Sequence, residues 1–288
     1  MEFRITIDVF SGRKNPVVVV KGRQAERIYE RLRPAQRVSK MLPIPESTLG
    51  YRGLIIEAKG ARGLPRTFRL ANGDLLGARL SHRASDENFE RFLVRESGLL
   101  RGLKLGNAFP ATLLKEIERF RETRKKCKHR PPHWPHREHC HCAPLYEPLW
   151  WNDGGQKQWN NNCYNYSTNY RSDTFAQPGL AAGAEYTSLT CASVRPAAIA
   201  DDLIDAPSAN NRCPKEGHLV ALVIAPNWDF HWYRKGRNGY WTHKPGGTPA
   251  TNLDNSGHLI PDPRIADRGP YTNFCTFMIV MHGHIKIT

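Results

Sequence analysis

Between residues 3 and 9 the apolar side chains Phe3, Ile5, Ile7 and Val9 alternate with polar or charged neighbours, the period-two pattern of a strand with one buried face. A turn from Gly12 to Pro16 leads into the β-branched run Val17 to Val20. A helical pattern from about Gln24 to Leu32 is then ended by Pro34. Strand signals return at Leu54 to Glu57 and at Arg66 to Leu70, and Ala71-Asn72-Gly73-Asp74 is a hairpin-type turn, so the sheet is predicted to be antiparallel. Ser85-Asp86-Glu87-Asn88 caps a predicted helix running to about Glu96, and Pro110 opens another that continues to about Lys126. This mixture predicts an α+β fold.

Residues 127–142 form a connector rich in Pro, His and Cys, after which the composition shifts to Trp, Asn, Tyr and Gly. The expected organisation is a small α+β domain over 1–126, a linker over 127–142 and a second domain over 143–288. In the second domain, Leu219 to Pro226 is the longest apolar run. It falls far short of the roughly 20 residues that span a bilayer, so a core strand is expected and no transmembrane segment. Residues 214–223, 229–234 and 239–246 read as three adjacent strands. The turn Lys235-Gly236-Arg237-Asn238-Gly239 would bring His231 and His243 side by side.

Charge divides the chain more sharply than length does. Residues 1–142 hold 30 Lys plus Arg against 15 Asp plus Glu, and residues 143–288 hold 12 against 12, so the whole net charge of +15 lies in the first part. Such a field suggests an anionic partner for the amino-terminal domain: nucleic acid, a membrane surface, an acidic polymer or an acidic protein. Part of it has a local structural reading, because Arg121, Arg124, Lys125 and Lys126 suit the negative carboxyl end of a helix. Two turns carry arginines, Phe10-Ser11-Gly12-Arg13-Lys14-Asn15-Pro16 and Leu49-Gly50-Tyr51-Arg52-Gly53. Neither has the spacing of a phosphate loop, and both read as turns.

Candidate chemistry centres on Cys163, set in Trp159-Asn160-Asn161-Asn162-Cys163-Tyr164-Asn165-Tyr166, a polar and aromatic context that predicts exposure in a cleft. A helix starting at this residue would lower the thiol pKa through its free N–H groups and dipole. His231 can take the thiol proton and return it to a leaving amine, with His243 orienting its ring. Asn252 and Asp254 compete with His243 for that third position. Gln158 and Asn162 are candidates for holding the oxyanion beside the Cys163 amide.

Gly217-His218-Leu219-Val220 followed by His231, Tyr233, Gly239 and His243-Lys244-Pro245 is similar to the NlpC-like branch of papain-like cysteine peptidases. The resemblance covers roughly residues 159–246 and implies a papain-like domain, with a helix bearing the nucleophile packed on an antiparallel sheet and a Cys-His-His triad. It implies a hydrolase that cleaves a peptide, isopeptide or peptidoglycan-type amide through an acyl-enzyme, with no cofactor required. The chain departs from the family at Asn162-Cys163-Tyr164-Asn165, where Asp-Cys-Ser-Gly is usual, and at His218, where aspartate is common.

The connector carries eight ligand-type residues: Cys127, His129, His133, His136, His139, Cys140, His141 and Cys142. Cys127, His129, His139, Cys140 and Cys142 are candidate ligands of a structural zinc, although the spacing matches no zinc-finger pattern. A non-enzymatic nucleic-acid-binding or zinc-binding protein is therefore the alternative function. Against it, the cations and most of the aromatic residues lie in different halves, unlike a single-strand groove. Cys191 and Cys275 read as core thiols, with Cys213 a candidate partner of Cys191. Seven cysteines, an odd number, without a visible export signal, predict free thiols in a reducing, cytoplasmic setting; delivery by a phage or a secretion system is the route to an outside substrate.

Overall fold

A computed structural model of the protein describes residues 1–33, 36–38, 47–77, 81–83, 88–95, 98–125 and 140–288. The chain is α+β and forms two compact units. The first comprises Met1–Val9, Asn15–Glu46 and Tyr51–Cys127, and the second Phe10–Lys14, Ser47–Gly50 and Lys128–Thr288. Two short stretches of the amino-terminal half thus pack within the second unit, which a boundary drawn at 127–142 does not anticipate.

Among the described residues, the first unit contains strands β1 (Glu2–Asp8), β2 (Val17–Lys21), β3 (Gln36–Val38), β4 (Gly53–Lys59), β5 (Thr67–Ala71), β6 (Asp74–Gly77) and β7 (Ser81–Arg83). They form one antiparallel sheet in the order β2-β1-β4-β5-β6-β7-β3. The alternation along β1 is realised: Phe3, Ile5 and Ile7 are buried while Arg4 is exposed. The β5–β6 turn has Asn72 and Gly73 at φ 53° and 78°, the left-handed pair that a tight hairpin needs. Helices α1 (Gly22–Leu32), α2 (Phe89–Arg95) and α3 (Phe109–Lys125) complete the unit, while the predicted cap over 85–87 lies outside the described residues.

Arg52, read from the sequence as a loop cation, is buried. It donates to Asp8 Oδ1 from Nε (3.1 Å) and from an η nitrogen (2.7 Å), and Arg69 donates to Asp8 Oδ2 at 2.6 Å. Burial alone would raise the Asp8 carboxyl, but the two guanidinium groups hold it well below the usual carboxylate range. Arg121 lies 3.9 Å from buried Glu90, so part of the basic excess is also neutralised inside this unit.

In the second unit, helices α4 (Pro148–Trp151), α5 (Gln156–Asn160), α6 (Cys163–Thr168) and α7 (Cys191–Ala200) precede strands β8 (Ile204–Asp205), β9 (His218–Ala225), β10 (Asp229–Lys235), β11 (Trp241–His243) and β12 (Asn273–Val280). The strands form an antiparallel sheet ordered β11-β10-β9-β12-β8. Every residue of β9 and β10 is buried, as expected of strands covered on both faces. Side chains of β10 alternate. Trp232 packs against Tyr164 of α6 and Arg234 stacks on Tyr166, whereas His231 contacts Tyr233 and Tyr271.

Two disulfides, Cys140–Cys213 and Cys191–Cys275, overturn several expectations. Cys191 and Cys275 are a bonded pair joining α7 to β12 rather than core thiols, and Cys213 pairs with Cys140 rather than Cys191. Cys140, oxidised, is removed from the candidate zinc set, because a disulfide sulfur is not a thiolate ligand. Cys142 is a free, exposed thiol whose Sγ lies 3.5 Å from the Lys215 carbonyl. Cys127, His129 and His139 lie outside the described residues, and among the described residues no group of three metal-ligating side chains occurs. No helix among the described residues is long and apolar enough to cross a membrane.

Candidate active site

Cys163 is the first residue of α6, and the helix starts there because Asn162 caps it. Asn162 Oδ1 accepts from the Tyr164 and Asn165 amides at 3.0 and 3.1 Å, while Asn165 Oδ1 accepts from the Asn162 amide at 3.1 Å. The loop before it is clamped by Lys244. This buried ammonium donates to the carbonyls of Gln158 and Gly246 at 2.6 Å each and to that of Asn161. The residue after His243 therefore fixes the approach to Cys163.

The thiol itself corrects two expectations. It is fully buried rather than exposed in a cleft, and its pKa is pushed up rather than down. Burial is the larger cause and the Asp229 carboxylate adds to it; hydrogen bonds from the Ser11 hydroxyl and the Trp232 amide oppose them without prevailing. A helix of six residues supplies too small a dipole to offset that desolvation.

The histidines meet as their strands predict. Antiparallel pairing of β10 with β11 sets Tyr233 opposite His243 and leaves His231 Nε2 2.9 Å from His243 Nδ1. His243 Nε2 lies 2.9 Å from the Leu253 carbonyl, which can only accept, so this nitrogen carries the proton. Burial depresses His243 to about 4, and the ring is neutral at pH 7. Its Nδ1 must then accept from His231 Nε2, and His231 Nδ1 faces Ser11 Oγ at 2.5 Å. A continuous chain of polar contacts results, running from Cys163 through Ser11, His231 and His243 to the Leu253 carbonyl.

Of the other candidates, Asn162 is at the site and Gln158 is not. Gln158 donates to the Gly247 carbonyl at 3.2 Å and accepts from the Gly154 amide at 3.3 Å, tying its own turn to the loop after His243. Asp254 organises a turn, accepting from the amides of Ser256, His258 and Asp267 at 3.0 Å each. The backbone between Asn252 and Asp254, rather than either side chain, meets His243. His218 donates to the Ser167 carbonyl at 2.7 Å and so ties β9 to the end of α6.

Sequence reasoning missed three groups. Ser11 read only as part of a turn. Asp229, two residues before His231, accepts from the amides of Ser11 (2.5 Å), Gly12 and Arg13 (3.1 Å each) and from the Tyr271 hydroxyl (2.5 Å). Gln177 donates to the Gly12 carbonyl at 2.9 Å, as Asn162 Nδ2 also does at 2.9 Å. The adjacency of Asp229 to His231 was a usable signal; nothing local marks Ser11 or Gln177.

The chain shares 47% identity over 136 residues with insoluble matrix shell protein 1 of Ruditapes philippinarum, covering 46% of this chain and 87% of that protein. It belongs to the family of insoluble matrix shell protein 1. No family model matches the sequence, and no solved structure matches the fold. A relative named as a shell matrix protein, together with two disulfides, overturns the expectation of a reducing cytoplasmic setting, since such bonds persist in oxidising, extracellular surroundings.

Proposed function

We propose that the second unit is a papain-like thiol hydrolase that cleaves an amide bond of a peptide, isopeptide or peptidoglycan type. The observation that carries this reading is the bond between His231 Nε2 and His243 Nδ1, which orients the first imidazole and turns its Nδ1, 2.5 Å from Ser11 Oγ, toward the Ser11–Cys163 side. With Ser11 displaced, His231 Nδ1 takes the Cys163 proton and the sulfur bonds to the amide carbon. The C–N bond then breaks as the same proton passes to the departing amine. Water, deprotonated by His231, attacks the thioester, releasing the acid and restoring the thiol. His243 is a positioning residue, and no cofactor is required for these steps.

The test is hydrolysis of peptide and muropeptide amides by a form in which Cys163 can be alkylated, with intact mass spectrometry to detect a thioester. Turnover that vanishes in Cys163→Ala and falls about 10²–10⁴-fold in His231→Ala is expected. An alkylatable Cys163 with neither adduct nor turnover would sink the hydrolase reading. The basic first unit would position an anionic partner, with binding that weakens as salt rises.

The relative's name favours a second reading, a non-enzymatic component of an insoluble matrix. It predicts that Cys163→Ala leaves retention in the insoluble fraction unchanged.

A further inference from the structure

We propose that the segment Phe10–Lys14 is a built-in substrate mimic that masks Cys163, and that the peptides the site accepts carry glycine where Gly12 now lies. The substrate part of this inference rests on the amide-hydrolase reading; the masking does not.

The segment is gripped mainly through its backbone. One buried carboxylate, Asp229, collects three consecutive amides, those of Ser11, Gly12 and Arg13. The carbonyl between two of them, that of Gly12, receives the side-chain amides of Asn162 and Gln177 at 2.9 Å each. Two donors converging on one carbonyl oxygen are what an acyl group needs as it becomes an oxyanion, and one of these donors belongs to the residue that precedes the cysteine. Ser11 Oγ meanwhile lies 2.5 Å from His231 Nδ1 and hydrogen-bonds the Cys163 sulfur, taking the place a thiol–imidazole contact would occupy.

Recognition through amides and a carbonyl is indifferent to side chains except at one point. A Cβ on Gly12 would lie 2.3 Å from the Phe230 ring, and that ring is fully buried with its neighbour Tyr186 5.4 Å away, centroid to centroid. The cleft is therefore walled where residue 12 passes, and only glycine fits. Arg13 folds back, its guanidinium 4.7 Å from the Phe10 ring and donating to the Trp228 carbonyl at 2.9 Å, so a cation after the glycine is also accommodated.

The test uses the full chain and iodoacetamide, with peptide mapping and with exposed Cys142 as internal reference. In the wild-type protein Cys163 is expected to react about 100-fold or more slowly than Cys142, because a buried thiol reacts only through opening. Gly12→Val cannot pass Phe230 and is expected to bring the Cys163 rate to within about tenfold of Cys142. Adding a synthetic Phe-Ser-Gly-Arg-Lys peptide amide to that variant should restore protection, and the Phe-Ser-Ala-Arg-Lys peptide should not. Asp229→Asn, which weakens the grip on the amides without adding bulk, gives the same comparison should Gly12→Val fail to fold, as judged by circular dichroism.

Equal rates for Cys163 and Cys142 in the wild-type protein would overturn the masking. So would a folded variant in which Cys163 stays unreactive. Equal protection by the two peptides would overturn the glycine preference. If the variant opens and the glycine peptide protects, yet alkylation is indifferent to His231→Ala and no thioester forms, the hydrolase reading fails while the masked peptide site stands.

Discussion

His218 offers a quantitative test of how the second unit is held together. It is fully buried, and burial depresses its pKa from 6.5 to about 3, with the Arg234 guanidinium and His282 acting in the same direction. Its Nε2–H is bonded to the Ser167 carbonyl. In the unfolded chain the imidazole titrates near 6.5, so between that pH and about 3 the unfolded state carries a proton that the folded state refuses. Stability therefore falls as the pH is lowered through this window, and the contribution is absent above it. At 1.36 kcal/mol per pH unit, the loss is about 2 kcal/mol at pH 5 and about 3 kcal/mol at pH 4. Replacing His218 with Asn keeps a donor for Ser167 and removes the titration. Wild type should thus lose about 3 kcal/mol relative to His218→Asn between pH 7 and pH 4. Asp201 and Asp229, whose carboxyl pKa values burial raises, act with the opposite sign but are common to both proteins and cancel in the difference. Urea titration followed by tryptophan fluorescence is the assay, and the described tryptophans, from Trp150 to Trp241, all lie in the second unit. A difference that stays constant from pH 7 to pH 4 would refute the claim that His218 is held neutral.

Reduction should destabilise the same unit strongly. The two disulfides span sequence separations of 73 and 84 residues, and loop entropy assigns each about 4–5 kcal/mol. A urea midpoint unmoved by dithiothreitol would contradict the pairing. In the first unit, Asp8→Ala leaves Arg52 buried without its carboxylate and should cost about 3–5 kcal/mol, read as faster hydrogen exchange across β1 and β4. An unchanged exchange pattern would mean that the ion pair contributes little.

The elements that could be read from sequence are those whose information is local. Alternation of Phe3, Ile5 and Ile7 implies a strand whatever lies beyond it, and Asn72-Gly73 implies a tight turn because few other residues adopt its dihedrals. The order of β9, β10 and β11 follows from a turn too short for anything but a hairpin, and that alone brings His231 to His243. Asn162 before Cys163 is likewise a cap by chemistry and by place. Tertiary structure decided what depends on partners far along the chain. Cys163 has polar sequence neighbours, yet it is buried in an apolar core with Ala176, Phe230 and Trp232, and Ser11, about 150 residues earlier, interacts with its sulfur. Cys140 finds Cys213 and Cys191 finds Cys275 across 73 and 84 residues, pairings that no local spacing encodes. Asp229 gathers the amides of 11–13, and Gln177 meets the carbonyl of Gly12, only when the sheet has formed. A side chain's type states what chemistry it can do, whereas its accessibility and protonation are set by the groups that surround it, and in this protein those come from the other end of the sequence.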